Sequence, residues 1–123
     1  MTALMFIYST GQVNTSILNL ALIRFDLMNR ATTPQTVRVL VWNTAASPKV
    51  NVYDETLTVP ALNGSERLFT SVIFPAEFEA IVQTNDPNVV PRITGLNALS
   101  TSLLIEYKYG DLFRTIGNGD VIA

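Results

Sequence analysis

Apolar residues recur at every second position in run after run of this chain, and each run stops at a turn signal. That period belongs to a β-strand, whose side chains alternate between two faces. Residues 36–43 read TVRVLVWN, with Val37, Val39 and Val41 on one face. Arg38, Leu40 and Trp42 share the other, so that face is not wholly wet. Residues 49–59 (KVNVYDETLTV) set Val50 and Val52 opposite Asn51 and Tyr53. Residues 66–74 (ERLFTSVIF), 77–84 (EFEAIVQT) and 102–109 (SLLIEYKY) follow the same style. In the last, Leu103, Ile105, Tyr107 and Tyr109 oppose Glu106 and Lys108. Asn88–Thr94 and Leu112–Ile116 predict shorter strands. Ala46-Ser47-Pro48, Asp86-Pro87-Asn88 and Gly110-Asp111 break the runs, and Asn63-Gly64 signals a type I′ hairpin turn. Strands recurring every 8–12 residues or so predict an all-β fold: a single-domain β-sandwich or jelly roll of about eight strands.

The first charged side chain is Arg24. A leader holding Phe6, Ile7, Tyr8 and the Ile17–Ile23 run seeks burial. It lacks the cationic start, unbroken apolar stretch and cleavage site of a secretory signal. It reads as an extended connector arm over residues 1–15, followed by a β-sandwich domain over 16–116 and a C-terminal tail over 117–123. Phe6, Ile7, Tyr8, Ile17 and Leu18 are the expected subunit-interface residues. Residues 16–29 (SILNLALIRFDLMN) carry helix formers. They also alternate Arg24 and Asp26 with Phe25 and Leu27, which favours a strand covered first on both faces and then on one.

In 123 residues, 48% are hydrophobic and only 15% charged, against about 25% charged in average soluble domains. No stretch stays apolar for the ~20 residues a membrane-spanning helix needs. Such interrupted apolar surface points to protein–protein contact; the plainer alternative is a tightly packed monomer with a Thr/Asn/Ser surface. The six Arg and two Lys are scattered, and the net charge is −2. Nucleic-acid binding needs a basic footprint, and membrane-surface binding a basic amphipathic segment; neither is present. With no Cys and no His, the thiolate nucleophile, the disulfide, the usual general base and the commonest metal ligands are all missing.

Each constellation that suggests chemistry has a plainer account. Glu77 and Glu79 share one strand face and resemble a glycosidase pair, or a solvated strand face. Asn85-Asp86-Pro87-Asn88 offers oxygens to Ca²⁺, or is an Asx/Pro turn. Gly117-Asn118-Gly119-Asp120 does not lead into a helix, so a phosphate cradle fails on context. Trp42, Tyr53, Tyr107 and Tyr109 suggest a sugar-stacking platform; the plainer reading makes Trp42 an inter-sheet core residue.

Tyr8-Ser9-Thr10-Gly11-Gln12, followed by strands of the Val37–Trp42 kind, resembles the small β-sandwich proteins of spore-forming Firmicutes, a class similar to endospore appendage (spore pilus) subunits. The resemblance implies stacking into fibres by β-augmentation, with the connector reaching into a neighbouring subunit. Appendage subunits crosslink through connector cysteines. This chain has none, so its polymer would lack covalent staples.

The expected function is therefore a structural self-assembling subunit of a filament, appendage or surface layer. It would be joined by N-terminal strand donation and sheet-edge β-augmentation. The alternative is a monomeric carbohydrate-type binding module. No enzyme, cofactor or metal site is expected, and the expected partner is the chain itself. The expected location is extracellular or on a spore or cell surface after cytoplasmic synthesis. Deleting Met1–Gln12 is expected to leave a folded domain that no longer assembles.

Overall fold

The structure, a computed structural model, describes residues 4–14, 22–69, 77–96 and 103–117. Among these residues lie ten strands: β1 (Met5–Ser9), β2 (Val13–Asn14), β3 (Leu22–Asn29), β4 (Gln35–Asn43), β5 (Val50–Val59), β6 (Gly64–Phe69), β7 (Glu77–Thr84), β8 (Val89–Leu96), β9 (Leu103–Tyr107) and β10 (Phe113–Gly117). A 3₁₀ turn, Tyr109–Asp111, precedes β10. One sheet runs β10-β1-β7-β4-β5, with β2 also on β7, and the other runs β6-β3-β8-β9. All pairings are antiparallel. The all-β sandwich is thus as the alternation predicts, with ten strands in place of about eight. No helix is long and apolar enough to cross a membrane among the described residues.

The core lies between the sheets. Val37, Val39 and Val41 of β4 meet Ile23, Phe25 and Leu27 of β3, with Phe78, Ala80 and Val82 of β7 beside them. The period-two patterns of β3, β4 and β7 place these residues inward because a strand buries alternate side chains. At β5 the alternation slips. A bulge opposite Val41 and Trp42 lets both Val52 and Tyr53 touch the core, and Val50 is exposed.

Three expectations need correction. The segment read as an arm is not extended away from the domain. Met5–Ser9 pairs with β7 along one edge and β10 along the other, and Val13–Asn14 pairs with β7. The reason is that this segment is apolar on both faces. Phe6 and Tyr8 enter the inter-sheet core, while Ile7 joins Leu40 and Ile81 on the outer face. The second sheet covers the Phe6 and Tyr8 face, and side chains of β4 and β7 cover Ile7 on the other.

The second concerns Asn63-Gly64. Residues 57–68 do not form a hairpin, because β5 and β6 belong to different sheets. The turn has type I′ geometry, but its central residues are Leu62 (φ 59°) and Asn63 (φ 66°), closed by Gly64 N–H to Ala61 C=O at 3.1 Å. Gly64 is needed for space, since a Cβ there would lie 2.5 Å from the Pro60 carbonyl oxygen. Buried Asn29 holds this corner. Its amide donates to the Thr33 and Val59 carbonyls, and its Oδ1 accepts from the Ala31 N–H.

The third is Trp42. It lies outside the inter-sheet core and packs on Ile7, Leu40 and Ile81 at the outer face of the first sheet. It follows Leu40 at i+2 on that face, as the alternation itself implies.

Candidate functional site

Of the five residues expected at a subunit interface, Phe6, Ile7 and Tyr8 are buried within their own chain. Ile17 and Leu18 lie outside the described residues. Tyr8 is 1% exposed, and its ring stacks on Tyr109 of the 3₁₀ turn. Its hydroxyl is buried without a hydrogen-bond partner. Burial, then the neighbouring Tyr109, push that hydroxyl up to about 12 from the usual 10.0, against the pull of Arg114.

Between β1 and β2 the chain breaks its ladder at Gly11, whose φ is +69°. A polar clamp holds the break. Ser9 Oγ accepts from the Gly11 N–H at 2.9 Å and donates to Glu79 at 2.5 Å. Glu79 also takes Lys49 Nζ at 2.8 Å, and Lys49 lies over the Trp42 ring, 4.6 Å from its centre. Gln12 donates to Glu77 at 2.7 Å. Glu77 and Glu79 therefore share one strand face but serve as separate anchors. The Asn85–Asn88 segment is an Asx turn, with Asp86 Oδ1 accepting from the Asn88 N–H at 2.7 Å. The four aromatics do not share one surface. Trp42 is on the outer face, Tyr53 and Tyr107 pack on the core, and Tyr109 covers Tyr8.

Among the described residues the first sheet ends in β5 and β10, and the second in β6 and β9. An edge strand offers unpaired backbone groups, and charges, prolines or bulges usually blunt it. β5 carries Asp54, Glu55 and a bulge against β4; β6 carries Glu66 and Arg67; β9 carries Glu106. β10 (FRTIG) has Arg114 alone. It also exposes Phe113 at 68% and Ile116 at 49%, and Leu4 lies exposed just before its partner β1. This edge combines a single charge with exposed large apolar side chains.

A second feature lies on the outer face of the other sheet. Arg67, Asp26 and Arg92 are register partners across β6, β3 and β8. Arg67 Nε reaches Asp26 Oδ1 at 2.6 Å, while Arg24 Nε (2.9 Å) and Arg92 Nη2 (3.1 Å) reach Oδ2. Burial alone would raise the Asp26 pKa, but the hydrogen bonds of Arg67 and Arg92 and the charge of Arg24 outweigh it and hold the carboxyl below its usual value. Beside the cluster runs an open groove of about 620 Å³, lined by Met28, Val90, Ser65 and Glu66 as well as Asp26, Arg67 and Arg92. The group is hidden in the sequence because Arg24, Arg67 and Arg92 stand far apart in the chain. Arg24 and Asp26 at i, i+2 are its local sign.

No family model matches this chain, and no curated protein does. Among solved structures, the Anabaena sensory rhodopsin transducer is similar over 69% of this chain and 89% of that one, at 14% identity and a TM-score of 0.49.

Proposed function

We propose that this chain is a structural subunit that associates with copies of itself by sheet-edge β-augmentation, with β10 as the principal contact. The observation that carries the reading is the edge just described: a strand paired with β1 on one side and, among the described residues, with no strand on the other, carrying one charge and two exposed large apolar side chains. Two β10 strands related by a two-fold axis pair antiparallel, and backbone hydrogen bonds supply affinity while Phe113 and Ile116 supply apolar contact. Strand donation fits the same frame. The slot between β7 and β10 that β1 fills in its own chain is the slot a donated β1 would fill in a neighbour, as in domain swapping. A filament, appendage or surface layer outside the cell is the setting proposed for such a subunit.

Multi-angle light scattering over a concentration series tests this. The unmodified chain should show species larger than a monomer, and Phe113→Lys with Ile116→Lys should shift them to monomer. Both side chains are exposed, so the melting temperature should stay within a degree or two of the parent's (about 0.5 kcal/mol or less). A parent that remains monomeric at high concentration, or a double variant that associates as before, would overturn the reading.

A further inference from the structure

The Asp26 cluster carries more cation than its carboxylates neutralise. Arg24, Arg67 and Arg92 all converge on one aspartate. Glu66 lines the adjoining groove, and counting it still leaves three guanidiniums against two carboxylates. Lys108 and Glu106 form their own pair nearby at 3.7 Å and cancel each other. The local excess is positive in a chain whose net charge is −2, so it is a property of this face and not of the molecule.

The geometry adds direction. Arg67 donates to Asp26 through Nε at 2.6 Å, and Arg92 through Nη2 at 3.1 Å and Nε at 3.4 Å, so each guanidinium keeps Nη hydrogens that the aspartate does not take. Arg67 and Arg92 are 55% and 40% exposed. Next to them on the same outer face lie Ser65, Met28 and Val90, register partners across β6, β3 and β8. Met28 is 40% exposed. The groove thus sets two guanidinium donors beside an apolar floor, with a hydroxyl-bearing residue at its β6 side.

We propose that this groove binds a small organic anion. Its oxyacid head, a phosphate monoester or carboxylate, pairs with Arg67 and Arg92, and its apolar body lies along Met28 and Val90. Guanidinium forks favour oxyanions through planar, charge-assisted hydrogen bonds. Asp26 holds the forks in place, so little side-chain freedom is lost when the anion arrives. The site is separate from the β10 edge and does not rest on the self-association reading.

The test is titration of the full chain with phenyl phosphate, benzoate, inorganic phosphate and phenol, followed by backbone amide NMR shifts. Saturable shifts at Ser65, Arg67, Val90 and Arg92 are expected with phenyl phosphate or benzoate. Binding should be weaker for inorganic phosphate, which lacks the apolar body, and absent for phenol, which lacks the charge. Arg67→Gln should weaken binding about tenfold, by loss of a charge-assisted hydrogen bond. Met28→Glu, at an exposed position on the apolar floor of the groove, should weaken it as well by repulsion. Arg30→Gln, outside the groove, should change nothing. If no probe gives saturable shifts, the cluster is an internal ion network alone and the proposal fails. It fails equally if phenol binds as well as phenyl phosphate, or if Arg30→Gln weakens binding as much as Arg67→Gln.

Discussion

Tyr8 packs its ring against Tyr109 with 5.6 Å between centroids and 50° between planes, so the N-terminal strand is tied to the turn that launches the C-terminal one. The contact lies where half-exposed Tyr109 covers the buried Tyr8 ring, and Tyr8 brings to it a buried hydroxyl with no hydrogen-bond partner. A buried polar atom left unpaired costs about 1–3 kcal/mol. Tyr8→Phe should therefore be neutral or stabilising, whereas Tyr8→Ala should cost about 3–5 kcal/mol through the cavity it leaves. Urea denaturation separates the two, and a loss above about 1.5 kcal/mol for the Phe variant would contradict the unpaired hydroxyl.

The same hydroxyl makes stability depend on alkaline pH. Its folded pKa, about 12, lies above the ordinary 10.0. The unfolded chain then releases its proton first, and stability present below pH 10 is lost as pH rises toward 12. Tyr8→Phe should flatten the fall of stability over that window, measured as the denaturation midpoint against pH. An unchanged slope would show that Tyr8 does not titrate abnormally.

Deletion of Met1–Gln12 now carries a different expectation from the one the sequence suggests. It removes a strand paired along both edges and takes Phe6 and Tyr8 from the core. The truncated chain should lose its cooperative thermal transition. A synthetic peptide of residues 1–14, added in trans, should restore it by filling the slot between β7 and β10. A truncated chain that melts as sharply and as high as the parent would show that β1 contributes nothing to the fold.

Leu62 adopts a left-handed backbone at φ 59° and is 72% exposed. A branched apolar residue there costs about 1–2 kcal/mol relative to a residue that tolerates the region. Leu62→Asn should raise the melting temperature by several degrees. Gly64→Ala should lower it, because the new Cβ would meet the Pro60 carbonyl oxygen at 2.5 Å. Calorimetry reads both, and a destabilised Asn variant would refute the strain argument.

Asp26→Asn should destabilise the domain by about 1–3 kcal/mol, since three arginines would lose their common anion. Because the folded carboxyl titrates below its unfolded value, its contribution is complete above the ordinary carboxylate range near pH 3.8. It is lost as pH falls through the folded pKa. The difference between parent and variant should shrink in acid, and a difference that grew there would reverse the sign assigned to this group.

Much of the fold was already written in the alternation of the chain. The inward Val37, Val39 and Val41, the strands near 77–84 and 50–59, and the mixed face of Leu40 and Trp42 follow from a period of two, which is a local property of each strand. Pairing is not local. That Met5–Ser9 lies between β7 and β10, that Leu57–Leu68 spans two sheets, and that Arg67 and Arg92 flank Asp26 all depend on which strands become neighbours. An apolar leader looks the same whether it seeks a second molecule or an inner slot in its own sheet, because burial is rewarded equally in both. Three scattered arginines show no cluster until antiparallel register sets β6, β3 and β8 side by side. The sequence determined the class of fold and which side chains demand cover; only the tertiary structure decided what covers them and which charges meet.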